Sequence, residues 1–169
     1  MPEKKTIERA KRDKREGKAP TTQAGEFVRE EMEHIRKGQH GARSPEQAIA
    51  IGLSKARRAG VDLPPPKKGT TSEKTRRSAE HALEAGKEKP DAKASPKRSR
   101  AITGALQHES KAAASKPALA RHARAAAKKR SATQRSAAAR KAARTKGPAE
   151  RSHAARKAAR TRASHQASR

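Results

Sequence analysis

The chain has no cysteine, no tryptophan, no tyrosine and a single phenylalanine, Phe27, in 169 residues. Without cysteine, disulfide stapling and thiolate metal sites are excluded. An aromatic content of 1% and a hydrophobic content of 31% exclude a large core. They also exclude the aromatic platforms on which unpaired bases stack. No run approaches the roughly 18 apolar residues of a membrane span, and the opening MPEKKTIERAKRDKR lacks the apolar stretch of a secretion signal. The expectation is an intracellular, cytoplasmic protein that makes no use of a membrane.

What is present is positive charge. The formal net charge is +27, and it is uneven: residues 1–66 hold 15 Lys or Arg against 10 acids, whereas residues 67–169 hold 29 against 7. In residues 111–169, 22 of 59 residues are Ala, 18 are Lys or Arg, the only acid is Glu150 and the only larger aliphatic is Leu119. Within this stretch RSAAARKAARTK (135–146) recurs as RSHAARKAARTR (151–162), a period of 16, with Gly147 and Pro148 between the copies. Ala, Lys and Arg favour helix, but isolated helices of three turns are marginal in water and neighbouring like charges oppose them. A largely disordered, transiently helical basic tail is therefore expected, ordering on a polyanion.

The first 66 residues read as a small helical head, with helices over about 3–16, 22–37 and 45–59. The first alternates acid with base around Ile7 and Ala10, reads as a solvated helix and has Thr6 as a cap. The second, capped by Thr21 or Thr22, carries the apolar stripe Ala24, Val28, Met32 and Ile35, widened by Phe27, and is expected to turn Glu26, Glu30, Glu31 and Glu33 to water. The third has every end signal: Ser44 at the N-cap, Pro45 next, Gln47 to complete a capping box, and Arg57 and Arg58 before Gly60. Its stripe of Ile49, Leu53 and Ala56 is expected to pack on the second helix. The fold class this predicts is mainly α, a small N-terminal αα-hairpin followed by the disordered tail. Pro64, Pro65 and Pro66 begin a linker, residues 67–110, with weak helices over 70–89 and 95–115, the former closed by Gly86 and Pro90.

No nucleophile with a base, no paired carboxylates in a pocket and no phosphate-binding glycine loop is found, so the chain does not read as an enzyme. The histidines His34, His40, His81, His108, His122, His153 and His165 show no metal-ligand spacing. His34 and His40 flank a turn without a third ligand in sequence, and read as solvated. No metal and no cofactor are expected. SPKR at 95–98 is similar to the Ser-Pro-basic motifs of linker histones, in which a turn aims two cations along the minor groove.

The phrases PEKKTIERAKRDKREGKAPTTQAGEFV (2–28), HGARSPEQAIAIGLSKARRAGVDLPPPKKG (40–69) and TSEKTRRSAEHALEAGK (71–87) resemble small basic bacterial proteins of the DUF6496 type, most closely around QAIAIGLSKA. The segment at 98–130 resembles the basic C-terminal part of such proteins, and the Ala/Lys/Arg tail resembles histone H1-like bacterial proteins. Those resemblances imply DNA binding, with no established activity. They agree with the charge, which leads to the expectation of non-specific, nucleoid-associated or histone-like binding to double-stranded DNA. Structured RNA or the ribosome is one alternative partner, and a helical adaptor tethered by its tail is another. The head itself would serve a homodimer or a protein partner. The phosphate-binding residues expected are Lys97, Arg98, Arg121, Arg124, Lys128, Lys129, Arg130, Arg135, Arg140, Lys141, Arg144, Arg151, Arg156, Lys157, Arg160 and Arg162.

Overall fold

Helix-forming residues and end signals divide the chain into short helical segments, and a computed structural model describes residues 2–88 and 95–167. In order come α1 (Lys4–Arg15), α2 (Pro20–Arg36), α3 (Pro45–Arg58), α4 (Glu73–Glu88), α5 (Pro96–Gln107), a 3-10 turn (Lys111–Ala114), α6 (Lys116–Lys128) and α7 (Ala132–Ala167). No strand occurs among the described residues. The chain forms two units, Met1–His122 and Ala123–Arg169.

In the first unit α2 is the central element. It packs against α1, α3 and the 3-10 turn, while α3 packs in addition against α4 and the 3-10 turn. The expectation of an αα-hairpin is thereby corrected: α2 and α3 are two members of a larger assembly. One apolar cluster gathers Ala10, Ala24, Phe27, Ala56, Val61 and Leu63, with Ile7 and Leu53 beside them. The other gathers Met32, Ile35, Ala42, Ala48, Ala113 and Ala114, flanked by Val28, Ile49 and Leu119. Residues 113–119, counted in the sequence with the basic tail, thus supply part of the first unit's interior.

With so few large apolar side chains, burial is achieved by bringing backbones close together. The buried residues of α3 facing its neighbours are Ala48, Gly52 and Ala56, whereas Ile49 and Leu53 are only half-buried. A Cβ on Gly52 would lie 2.7 Å from Val28 Cα, so α2 and α3 touch main chain to main chain. The α4 helix repeats the device with Ala79, Ala82 and Gly86 buried, and a Cβ on Gly86 would lie 1.9 Å from the Arg57 carbonyl oxygen. This helix is packed, contrary to its reading as a weak helix on a flexible chain; Pro90, expected to close it, lies outside the described residues.

The α1 helix is not the solvated helix expected. Thr6 is fully buried and does not cap; its Oγ1 accepts from Arg9 Nη2 at 3.1 Å. Asp13 is buried too and accepts from Lys18 Nζ at 2.8 Å, and Arg9 pairs with Glu26 across to α2 at 2.6 Å. Contacts with α2 make up for the scarcity of apolar residues on α1. The α2 helix begins at Pro20 behind Ala19, with no side-chain cap from Thr21 or Thr22. For α3 the N-cap and Pro45 operate as expected, Ser44 Oγ accepting from the Gln47 N–H at 3.3 Å, but the capping box is not completed: Gln47 Oε1 accepts from the Arg43 N–H at 2.7 Å, one residue before the cap.

The second unit corrects the disordered tail. The α7 helix runs over both copies of the repeat, interrupted only at Gly147, whose φ of 65° and ψ of 170° are non-helical. Two local causes outweigh the repulsion between like charges. Alanine, lysine and arginine have the highest helix propensities, and Ser131 with Gln134 forms a reciprocal capping box in which each backbone N–H donates to the other's side-chain oxygen at 3.2 Å. That S-x-x-Q signal stands in the sequence. After the break, Pro148 starts the second segment in a position where its missing N–H costs nothing.

Gly52→Ala and Gly86→Ala are expected to destabilise the first unit by about 1–3 kcal/mol through overpacking against backbone. Gly25→Ala, with nothing within 4 Å of its added Cβ, should instead stabilise by up to about 1 kcal/mol. Thermal melts of the three variants check this. Ser131→Ala should lower the helical signal of the arm, at about 1 kcal/mol for the lost cap, as read by circular dichroism.

Candidate functional site

Every expected phosphate-binding residue with a described side chain is solvent-exposed. Lys97 lies in the first turn of α5, and for Arg98 beside it the backbone alone is described. The SPKR segment is therefore the start of a helix, with Pro96 at its first position and no side-chain cap from Ser95. Arg121, Arg124 and Lys128 lie on α6, Lys129 and Arg130 in the turn that follows, and Arg135 to Arg162 on α7. Among the described residues, none of the cations from Arg124 to Arg162 makes an ion pair. Among the described residues their side chains contact main-chain carbonyls within the arm, Arg135 Nη1 donating to Arg130 O at 2.7 Å and Arg151 Nε to Gly147 O at 3.1 Å.

The two copies of the repeat are alike in detail. Thr145 Oγ1 donates to Lys141 O at 2.9 Å, and Thr161 Oγ1 donates to Lys157 O at 3.1 Å. In the first copy Ala137, Arg140, Lys141 and Arg144 line one shallow cleft. Neither an apolar nor a cationic stripe runs the length of α7, so the helix presents charge on all sides. Each copy carries five Lys or Arg in twelve residues, which at 1.5 Å per residue is about one cation per 3.6 Å of helix.

A second group of polar residues, unforeseen in the sequence, is buried in the first unit. Glu30 and Glu31 are 3% and 1% exposed, which overturns their assignment to a solvated face. The reason is topological: α2 has α1 on one flank and α3 on the other, so residues off the central stripe are covered as well. Glu31 Oε2 takes the Lys55 ammonium of α3 at 2.5 Å, while Glu30 Oε1 accepts the Glu3 N–H at 3.1 Å. His34, 9% exposed, sets Nε2 3.1 Å from Glu3 Oε1 and 3.8 Å from Glu30 Oε1. That hydrogen bond holds the exposed Glu3 carboxyl below its ordinary value. His40 Nε2 lies 3.1 Å from Glu31 Oε1, and its Nδ1 lies 3.0 Å from the Gly41 carbonyl oxygen. Thus the fold brings the Glu31 carboxylate beside His34 and His40. The only trace of it in the sequence is the i, i+3 spacing of Glu31 and His34.

Arg57, expected only to favour the end of α3 by its charge, is also buried. Its Nε donates to Leu63 O at 3.0 Å and its Nη2 to Pro64 O at 3.1 Å, closing the chain over the first apolar cluster, and burial pushes its pKa down. A cleft of about 350 Å³ beside it is lined by Ile7, Lys11, Val61, Leu83 and Lys87 among others, with Asp62 as its only acid. Among the described residues no helix is long and apolar enough to cross a membrane. Comparison with family models, with curated proteins and with solved structures finds no match to this chain.

One contact links α6 to α3. His122 Nδ1 lies 2.6 Å from Glu46 Oε1, in the first turn of α3. Its own backbone N–H, then His122, then Ser44 lower the Glu46 pKa from 4.5 to about 2. The folded value is depressed, so the stabilisation is present above about pH 4.5 and is lost as pH falls toward about 2. An NMR titration of the Glu46 carboxyl should show this low midpoint, and His122→Ala should raise it only part of the way, because the backbone contribution is the larger.

Proposed function

We propose that the protein binds double-helical nucleic acid, DNA in the first instance, without sequence preference, by laying the helical cationic arm along the phosphate backbone. The observation that carries the reading is the density of exposed charge. Each copy of the repeat carries about one Lys or Arg per 3.6 Å of helix, a linear charge density comparable to that of one duplex strand, about one phosphate per 3.4 Å of duplex axis, and among the described residues these cations make no ion pair. Cations on all sides of α7 suit contact with phosphates rather than with base edges, since base readout needs a defined face. The absence of tyrosine and tryptophan favours a duplex over single strands. Because the arm is already helical, it meets the polymer without first having to order, and the counterions released from the duplex supply the driving force. The resemblances to histone H1-like and DUF6496-type proteins point the same way, toward a nucleoid-associated, histone-like role.

The experiment is a salt titration of duplex binding by the full chain and by a variant with Arg140, Lys141, Arg144, Arg156, Lys157 and Arg160 all changed to Gln. If six to ten phosphates are neutralised, affinity should fall about 10³- to 10⁵-fold between 50 and 200 mM salt, equally for scrambled sequences. The variant should lose about five units of the log–log slope, at roughly 0.9 per phosphate contact. An unchanged slope, or binding confined to one sequence, would refute the proposal.

A further inference from the structure

The groups around His34 and His40 are left with a charge and hydrogen-bond mismatch that a metal ion would resolve. Glu31 divides its two oxygens. Oε2 is paired with Lys55, whereas Oε1 is buried, has no hydrogen-bond partner and faces His40 Nε2 at 3.1 Å. With its Nδ1–H donated to the Gly41 carbonyl, a neutral His40 has only a lone pair at Nε2. Two acceptors then face each other in the interior, and either a proton on Nε2 or a metal cation closes the gap between them. On the other side Glu30 Oε2 is likewise buried without a partner. Glu3, Glu30 and Glu31 bring three negative charges against the single ammonium of Lys55 in direct contact, with Lys37 and Arg9 acting on Glu3 only through the field.

We infer that Glu31, His34 and His40 form a binding site for one divalent transition-metal ion of the zinc class, with Glu3 and Glu30 as outer carboxylates on the His34 imidazole. One donor atom from each of the three residues lies within 4.8 Å of the other two. Ligands about 2.0–2.1 Å from a tetrahedral ion stand about 3.3 Å apart, so the set closes on an ion by small side-chain movements. Two imidazoles and one carboxylate select such an ion over magnesium or calcium, which prefer all-oxygen shells. The surroundings fit the same class: the second nitrogen of His40 is held by a backbone carbonyl, and with Nδ1 of His34 as the ligand its Nε2 is held by the Glu3 carboxylate, as is usual for metal-bound histidine. The ion would tie the turn after α2, through His40, to the helix itself and through Glu3 to the start of the chain.

Chelator-treated full-length protein, titrated with Zn²⁺ by calorimetry, should bind one ion tightly and melt at higher temperature, with no response to Mg²⁺. On the unaltered chain, Zn²⁺ should shift the imidazole NMR signals of His34 and His40 at the first equivalent and leave those of His108 and His153 in place. Glu31→Gln, His34→Gln and His40→Gln should each weaken binding by more than about tenfold, whereas His122→Gln should not. Co²⁺ should give the visible absorption of a four-coordinate ion in the unaltered protein and lose it in His40→Gln. The inference is overturned by the absence of a tight site, by first-equivalent shifts at the exposed histidines instead, or by equal affinity in a folded His40→Gln protein. A folded state that fails in the variants leaves the NMR result on the unaltered chain to decide.

Discussion

The approach of α2 to α3 at Gly52 is the constraint on which the first unit depends. A chain with one phenylalanine and few large aliphatics cannot fill wide gaps between helices, so it closes them. Gly52 lets the α3 backbone reach Val28, and Ala48 and Ala56, one turn to either side, keep the seam narrow. That closeness is what allows Lys55 to reach Glu31 from across the interface, and what leaves the Val61–Leu63 segment near enough for Arg57 to hold it by two carbonyls. The same economy explains why α4 meets α3 with Ala79, Ala82 and Gly86 rather than with leucines.

A thin core also gives polar groups structural positions they rarely hold. Thr6, Asp13, Gln23, Glu30, Glu31 and Arg57 are all buried, and most are satisfied by neighbours rather than by water. Asp13 holds Lys18, Gln23 donates to the Lys18 carbonyl at 2.8 Å, and the Glu3 N–H holds Glu30. Buried charge is weak evidence for stability, because desolvation offsets attraction; its value here lies in fixing which helices are neighbours. The basic arm is built on the opposite rule. Among the described residues its cations from Arg124 to Arg162 are exposed and make no ion pair, and its helix is held by propensity and by the Ser131–Gln134 box.

Much of the element order was legible in the sequence because it is written in end signals: Ser44, Pro45 and Gln47 for α3, and the glycines that follow α1, α2 and α3. What escaped was anything requiring three bodies. The stripe of Val28, Met32 and Ile35 identifies one buried face of α2, yet its second flank is buried only because α1 returns across it, and nothing local announces that return. Glu30, Glu31 and His34 were misplaced for that reason. Small residues misled in the other direction: Ala48, Gly52 and Ala56 look like filler beside Ile49 and Leu53, though they make the closest contact. In the arm, alanine content and the box at Ser131 outweigh the repulsion between like charges that the sequence shows most plainly. Among the described residues the arm's cations lie on exposed helical surface or in turns.

The break at Gly147 has a geometric consequence for the duplicated segment. Sixteen residues make about 4.4 turns of α-helix, so in an unbroken helix the second copy would be rotated by about 160° relative to the first. Matching side chains would then point in nearly opposite directions, and one copy would turn its back on any surface the other touched. The positive-φ residue between them interrupts the continuous helix that would enforce that offset. The duplication can therefore act as two equivalent grips instead of as one longer rod.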